Sequence, residues 1–354
     1  MLDRLTLAMR ASHLLALVFV AASLLLAAYG AATNDTFYLR LATEALIFAG
    51  LALSVDLLLG YSGALSLGQA LYFGAGAYTS ALVLMSVPSF WLAMAAAGGV
   101  TLLLSLIGGF IANRVRGVYF ALITFGMAQV VAKVVYNTRA LGASDGMIGV
   151  PVIDIQFGPF AVSAGSPVGF FLVVLAVIMG LYAASAYLLE TPFGRVLTAI
   201  KANERRVPFL GYSVTTARMA AYVLAALIAG LSGALYPMLR GFVSPELMFF
   251  STSGNAVISV ILGGVGTLIG PLYGSVFLVV VKSVVGSWTE HHLIVIGALF
   301  MAGVMFAPKG FVGAIRPALI RALERRRPGN GAPARKTRAP ALRDMEIAAR
   351  REKP

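Results

Sequence analysis

The sequence predicts an all-α polytopic membrane protein. Of its 354 residues, 59% are hydrophobic and 12% are charged, whereas an ordinary soluble domain carries roughly 25% charged residues. The mean hydropathy is +0.89, and the apolar runs continue for about 15 to 25 residues, as in transmembrane helices. An outer-membrane barrel would show alternating segments of roughly ten residues instead. These observations disfavour a soluble enzyme, a nucleic-acid-binding protein and a barrel.

Charges and turn residues divide the chain into about ten apolar stretches, which we interpret as transmembrane helices. They lie near 12–32, 41–59, 64–87, 90–112, 117–136, 168–189, 219–239, 252–267, 269–287 and 292–307. The uncharged stretch from Ser251 to Val281 is too long for one span of about 20 residues, so we place a break at the glycines of 263–266. The first stretch is longer than the usual signal core of about 7 to 15 residues, and we expect it to stay uncleaved.

The basic residues predict the orientation of the chain. If the amino terminus lies in the cytoplasm, the inner segments outside the tail contain nine Lys or Arg and the outer loops contain three. This positive-inside bias and the even number of spans place both termini in the cytoplasm. Lys133 and Lys282 fall near the outer ends of their spans, where a long side chain reaches the interface.

Most of the positive charge lies at the carboxyl end. The formal net charge is +13, and residues 309–354 hold thirteen Lys or Arg against four Asp or Glu, which gives +9 and leaves +4 for the rest. We therefore predict a transmembrane domain over 1–312 and a basic, disordered cytoplasmic tail over 313–354. Such a tail is attracted to anionic membrane lipid rather than to nucleic acid.

Ten spans form two halves of five with opposite orientations in the membrane. The third spans of the halves, 64–87 and 252–267, are both Gly-rich, which is typical of inverted-repeat transporters with a substrate site at the repeat interface. Close helix packing explains the glycines equally well. Under the transporter interpretation, polar residues of these two spans are candidates for lining a translocation path: Ser66, Gln69, Tyr72, Tyr78 and Asn255.

The chain contains no recognisable constellation for catalysis or metal binding. It has no cysteine, three histidines and no P-loop motif, and the adjacent His291 and His292 would project about 100° apart on a helix. Glu44 and Asp56 lie near the two ends of the second span, where hydration permits a structural role as readily as a functional one. We predict no catalytic residue and no metal site.

The longest inner loop, about 190–218, predicts a short helix that is then interrupted. Thr191 is a candidate cap, Pro192 suits the first helical position, and Val196, Leu197 and Ile200 share one face. Pro208 and Gly211 then end the helical pattern. An amphipathic helix between two spans suits contact with a separate subunit, and a solvated or lipid-surface loop is the alternative.

Several motifs in order resemble the branched-chain amino acid ABC-transporter permeases of the LivM type. They are LLGYSGALSLGQA at 58–70, FGAGAY at 73–78, RGVYFAL at 116–122, SDGMIGVP at 144–151, the loop at 192–212 and GGVGTLIGP at 263–271. The resemblance runs from about residue 40 to residue 312. The order of several motifs makes it far more specific than any one of them.

The resemblance implies an importer of branched-chain or related amino acids in the cytoplasmic (inner) membrane of a prokaryote. Its partners would be a LivH-type permease subunit, two cytosolic ABC ATPase subunits and a periplasmic or lipid-anchored substrate-binding protein. ATP and Mg would act in the ATPases, so this chain would bind no cofactor and would not be an enzyme. The ATPase-coupling role would fall on Asn203, Glu204, Arg205, Arg206, Leu210 and Gly211.

Alternatives remain at this stage. Related permeases with the same motifs import urea or short-chain amides. An ion-coupled carrier or channel is a further alternative. Such a protein usually has a carboxylate at mid-membrane, and the sequence has no clear candidate for one. Pro208 also departs from the small or helix-forming residue that the family pattern implies, so we expect the docking helix to be discontinuous.

Overall fold

The computed structural model describes residues 2–33, 36–157, 160–163, 165–288, 292–306 and 310–316. These residues are mostly helical, which confirms the predicted all-α class. The helices are α1 (Leu2–Thr33), α2 (Thr36–Asp56), α3 (Gln69–Ser86), α4 (Phe90–Ala112), α5 (Val118–Asn137), α6 (Pro167–Glu190), α7 (Pro192–Asn203), α8 (Val214–Ala234), α9 (Tyr236–Arg240), α10 (Phe250–Gly263), α11 (Gly270–Trp288) and α12 (His292–Phe306). From residue 317 onward, the predicted tail lies outside the described residues.

Shorter elements complete the described fold. A π-helical turn, Leu57–Ser62, continues α2. Strand β1 (Met147–Ile148) pairs antiparallel with β4 (Phe242–Val243). Strands β2 (Asp154–Phe157) and β3 (Phe160–Ser163) form an antiparallel hairpin between α5 and α6.

Seven described helical stretches are long and apolar enough to cross a membrane. They are Ser12–Thr33, Thr36–Ser62, Phe90–Ala112, Val118–Asn137, Pro167–Glu190, Val214–Arg240 and Gly270–Ser287. The other three predicted spans coincide with α3, α10 and α12. Helix α10 has 14 residues, which is roughly 21 Å at 1.5 Å per residue and shorter than a hydrocarbon core of about 30 Å. The multi-pass architecture is confirmed, and the count of ten spans stays a prediction.

Helices α2, α3 and α8 form the centre of the bundle. Helix α3 packs against α4 and α8, and α2 packs against α6, α8 and α11. The backbones of α3 and α8 approach closely, because a Cβ at Gly76 would meet the carbonyl oxygen of Gly230 and a Cβ at Gly233 would meet that of Phe73. Close packing at small residues is therefore one confirmed use of the Gly-rich third span.

The predicted inner and outer segments collect at opposite ends of the bundle. At one end, which we call the inner end, Lys201 on α7 donates a hydrogen bond to the carbonyl oxygen of Gly60 at 2.5 Å. At the other, the outer end, β1 pairs with β4 and the indole N–H of Trp91 donates to the carbonyl oxygen of Gln156 at 2.9 Å. The predicted alternation between two sides agrees with this arrangement, whereas the side that faces the cytoplasm stays a prediction.

The third span differs from the sequence prediction. Helix α3 begins at Gln69 rather than at residue 64, because Gly63 adopts a left-handed conformation with φ +73° and ends the π-helical turn. The segment Ala64–Gly68 is not helical. In the second half, α10 ends at Gly263 and α11 begins at Gly270, so the predicted break at the glycines is confirmed.

Candidate functional site

The inner end carries the segment predicted to contact another subunit. Pro192 stands at the start of α7, as the sequence predicts, and Thr191 is the residue before it. The Thr191 side chain does not cap the helix, because its hydroxyl donates to the carbonyl oxygen of Leu188 at 2.6 Å instead. Leu197 and Ile200 are buried, and Val196 is half-buried on the same face. This face packs against α6, α8 and the π-helical turn. The chain itself therefore covers the apolar stripe of α7.

The end of α7 confirms the predicted interruption. The side-chain oxygen of Asn203 accepts a hydrogen bond from the N–H of Arg205 at 3.1 Å. A 3-10 turn then covers Glu204–Leu210, contains Pro208, and ends at Gly211 with φ +80°. Proline cannot donate the backbone hydrogen bond that an α-helix needs at this position, and glycine accepts a left-handed conformation without a steric penalty.

Glu204 ties this turn to the rest of the inner end. Its Oε1 atom lies 3.2 Å from Nε of Arg116 and 3.3 Å from Nη1 of Arg218. Arg116 belongs to the connection between α4 and α5, and Arg218 lies on α8. The Arg218 side chain is 10% exposed and that of Arg116 71% exposed, so water screens the Arg116–Glu204 pair far more than the Arg218–Glu204 pair. The carboxylate of Glu204 is thus engaged within the chain.

The tip of the turn presents apolar surface to solvent. Phe209 is 90% exposed, Leu210 68% and Tyr212 50%, and Arg205 and Arg206 are exposed beside them. Aromatic and arginine side chains that protrude together are typical of protein interfaces. Phe209 is not among the residues predicted from the sequence. The available signal was an aromatic residue directly after a proline in a polar inner loop.

A buried carboxylate lies under this segment. Asp56 is fully buried; its Oδ1 accepts a hydrogen bond from the N–H of Gly266 at 2.6 Å and its Oδ2 accepts one from the N–H of Leu268 at 3.0 Å. Leu268 has φ +62°, a conformation that costs energy for a residue with a side chain. Together with the bond from Lys201 to Gly60, these contacts join α7, the end of α2 and the turn between α10 and α11.

Four of the predicted path residues lie in or after the non-helical segment of the third span. Ser66, Gln69, Tyr72 and Tyr78 are all buried. The backbone N–H of Leu67 donates to Oγ1 of Thr124 at 3.2 Å, and that of Ala70 donates to Oγ of Ser253 at 3.1 Å. Non-helical backbone at membrane depth occurs where protein or a cavity satisfies it. Breaks of this kind occur at the substrate sites of transporters.

Two of these four residues have unused hydrogen-bonding capacity. Oε1 of Gln69 and the hydroxyl of Tyr78 are buried and have no hydrogen-bond partner among the described residues. Tyr72 differs, because its hydroxyl donates to that of Tyr222 at 2.9 Å. Leaving a buried polar group unpaired costs about 1–3 kcal/mol. Of the four residues, Gln69 and Tyr78 are therefore the ones best suited to bind water or a polar solute.

Asn255, the fifth predicted path residue, lies apart from the other four. It lines a cavity of about 730 Å³ at the outer end, between α2, α9, α10, α11 and the segment 242–247. Five charged residues line the same cavity: Arg40, Glu44, Arg240, Glu246 and Lys282. Nη2 of Arg240 lies 2.6 Å from Oε2 of Glu44. Lys282 therefore lines a polar cavity, which was not predicted from the sequence.

The described residues contain no arrangement suited to a metal ion. No group of three or more His, Cys, Asp or Glu side chains converges in the part of the chain that the structure describes. His13 lies 3.5 Å from Glu190, and both side chains are about half exposed. The other two histidines, His291 and His292, have no described side chain.

Comparison with known proteins gives a consistent family. A family model described as branched-chain amino acid transport system / permease component matches residues 37–304. The high-affinity branched-chain amino acid transport system permease protein LivM of Salmonella typhimurium is 29% identical over 301 residues, which cover 79% of this chain and 71% of the relative. LivM of Escherichia coli is 28% identical with the same coverage.

More distant relatives are also permeases. The corresponding LivH protein of Salmonella typhimurium is 20% identical over 281 residues, 75% of this chain and 91% of the relative. The autoinducer 2 import system permease protein LsrC of Klebsiella pneumoniae is 29% identical over 199 residues, 52% of this chain and 54% of the relative. No solved structure matches the chain.

Proposed function

The chain belongs to the family of permease components of branched-chain amino acid transport systems, and from this membership we propose how it works as the membrane-spanning subunit of an ATP-binding-cassette importer. The match covers α2 to α12 and includes the inner segment around α7. This match carries the function: the chain is a transport permease rather than a catalytic enzyme, crosses the inner membrane several times and works with other importer subunits.

The specific partners are part of the proposal. Two cytosolic ATPases would bind the inner end, a LivH-type permease would stand beside this chain, and a periplasmic or lipid-anchored binding protein would deliver the substrate outside. The protruding residues Phe209, Leu210 and Tyr212 support an ATPase contact at the inner end. ATP and Mg would be bound by the ATPases, and the inner end would face the cytoplasm.

The contacts of the inner end supply a route for coupling. Movement of the ATPases would push on the tip of the 3-10 turn. Glu204 would pass this displacement to α8 and to the start of α5 through Arg218 and Arg116. Lys201 would pass it to the π-helical turn of α2 through Gly60. Rocking of these helices would change access to the path between outside and inside.

Uptake into proteoliposomes tests the proposed function. The chain, reconstituted with ATPase, permease and binding-protein subunits from the same genome, should accumulate tritiated leucine in the lumen only when ATP is enclosed with lumen-facing ATPases and the binding protein is outside. Unlabelled leucine should reduce the uptake of tritiated leucine, and urea or acetamide should not. Uptake by the chain alone, driven by an ion gradient, would show a carrier instead. ATP-driven uptake of urea but not leucine would support the amide alternative.

A further inference from the structure

The outer cavity has the features of a water-filled binding site rather than of a packing defect. Its volume of about 730 Å³ lies within the range of roughly 300–1,000 Å³ that is common for small-molecule sites. Genuinely empty cavities are apolar, whereas the wall of this one contains five charged residues. Only 12% of the chain is charged, so this concentration calls for a ligand or bulk water.

One face of α10 extends the polar lining into the bundle. Ser251, Thr252, Asn255 and Ser259 line the cavity at relative positions i, i+1, i+4 and i+8, which fall on one side of a helix. Ser275 of α11 also lines the cavity, and its hydroxyl donates a hydrogen bond to the carbonyl oxygen of Ala45 at 2.9 Å. A polar stripe that runs eight residues along a membrane helix is typical of an aqueous path.

The charges in the cavity are only partly neutralised by each other. Glu44 and Arg240 form an ion pair at 2.6 Å. Arg40, Glu246 and Lys282 make no ion pair within 4.0 Å with another described residue. Two cations and one carboxylate therefore remain available to a solute.

An apolar wall completes the cavity. Phe48, Leu41 and Leu247 line it, together with Leu278 and Val279 of α11. Phe48 is held in place by stacking on Phe73, with ring centroids 5.4 Å apart. The same cavity thus offers cations, a carboxylate and aliphatic or aromatic surface, which a zwitterion with an apolar side chain would use together.

We propose that this outer cavity binds a free α-amino acid with an apolar side chain on its way into the membrane. Lys282 and Arg40 would hold the carboxylate, Glu246 would hold the ammonium group, and Phe48 and Leu278 would contact the side chain. Asn255 would bind polar groups deeper in the cavity. This inference rests on the proposed function and adds a substrate site within this chain.

Direct binding to the importer without its binding protein tests the site. The full-length chain, purified with the subunits that accompany it and placed in nanodiscs of phosphatidylcholine and phosphatidylglycerol, is titrated with tritiated leucine in a scintillation proximity assay. Lys282→Gln and Glu246→Gln should each weaken leucine binding by about tenfold or more, because each removes one charged partner of the zwitterion. Lys133→Gln and Asp154→Asn, which also lie at the outer end but outside this cavity, should bind leucine like the parent.

Competition identifies the groups that are recognised. Leucinamide lacks the carboxylate and 4-methylpentanoate lacks the ammonium group, so both should compete much more weakly than leucine. Equal competition by either compound, or equal binding by parent and cavity variants, would overturn the inference. So would a parent importer that takes up leucine with its binding protein but binds none without it, and in that case the proposed function would stand.

A lipid site would give a different pattern. If the parent binds no leucine and Lys282→Gln instead changes the amount of phosphatidylglycerol that co-purifies, the cavity holds a lipid headgroup and the inference is wrong. Failure of the proposed function is seen separately, as the absence of ATP-driven leucine uptake by the parent importer.

Discussion

Asp56 connects two parts of the chain that are 210 residues apart in sequence. Both of its carboxylate oxygens accept backbone hydrogen bonds from the turn between α10 and α11. The sequence predicted a hydrated position near a membrane interface, which is wrong for Asp56 because its side chain is fully buried. Its partners were not predictable, because hydrogen bonds to a distant backbone leave no pattern in the side chains. These charge-assisted hydrogen bonds explain how a carboxylate is accommodated at a fully buried position in an apolar bundle.

Replacing Asp56 with Asn should destabilise the protein. The amide has one acceptor oxygen, and its NH2 group would face a backbone N–H. Since hydrogen bonds to charged groups contribute roughly 1.5–3 kcal/mol each, we expect a loss of about 2 kcal/mol and a lower melting temperature in detergent. Asp154→Asn, at an exposed position of β2, is the control. An unchanged melting temperature for Asp56→Asn would show that these two hydrogen bonds do not stabilise the protein.

Gly76 is a second position at which one atom decides the packing. A side chain there would collide with the backbone of Gly230 on α8, whereas no atom lies within 4 Å of a Cβ built at Gly99 on α4. Overpacking costs typically about 1–3 kcal/mol and occasionally more. Gly76→Val should therefore lower the yield of folded, monodisperse protein by size-exclusion chromatography, and Gly99→Val should not. Equal yields would show that α3 and α8 separate easily.

At the scale of elements, the sequence predicted the start of α7 and an interruption at Pro208 and Gly211, but neither the end of α7 at Asn203 nor what covers the helix. Signals that act through local backbone geometry can be recognised in a sequence. Here they are Thr191 and Pro192 before and at the start of α7, and Pro208 and Gly211 in the turn that follows it. The amphipathic pattern predicts a cover for Leu197 without identifying it, since an apolar stripe fits any apolar surface. Phe209 was not predicted either, because its exposure depends on a turn that is held by contacts to α8 and to the connection between α4 and α5.

Phe209 should contribute to ATPase binding. Fully burying a phenylalanine side chain stabilises by about 1.5–3 kcal/mol, so Phe209→Ser should weaken ATPase association roughly tenfold or more. Biolayer interferometry of the nanodisc-embedded permease with purified ATPase measures this affinity. Val152→Ser is the control, because Val152 is 65% exposed at the outer end. Similar affinities for both variants and the parent would remove Phe209 from the contact.

The predicted Glu204 contact has a different expected effect. Glu204→Arg would place a third cation beside Arg116 and Arg218 and should loosen the 3-10 turn while leaving α7 packed. Hydrogen exchange should then quicken over 204–210 and remain slow at Leu197 and Ile200, which are buried. Arg206→Glu, at an exposed position, serves as the charge-reversal control. Unchanged exchange over 204–210 would show that the ion pairs do not hold the turn.

At the scale of the whole molecule, the amino-acid composition was sufficient to predict the fold class, and the order of the motifs was sufficient to predict the protein family. The fraction of apolar residues and the lengths of the apolar segments are set by the lipid bilayer that surrounds the protein. They therefore predict a helical membrane bundle without any information on tertiary contacts. The start of α3 at Gln69 was not predictable, because the backbone beside it is held by Thr124 and Ser253 from distant helices. The outer cavity was not predictable either, because its wall is assembled from helices that are far apart in the sequence. The structure separates inner and outer segments by geometry, and the direction across the membrane rests on the nine-to-three distribution of basic residues.

Cysteine accessibility determines that direction. The chain contains no cysteine, so single variants need no prior substitution. Val152→Cys at the outer end and Ala202→Cys on α7 are both at exposed positions and should react with a maleimide once the membrane is permeabilised. In intact cells with a permeable outer membrane, an impermeant maleimide should label Val152→Cys alone, because positive charge is retained on the cytoplasmic side. Labelling of Ala202→Cys alone would invert the molecule and place Phe209 on the side that ATPases cannot reach.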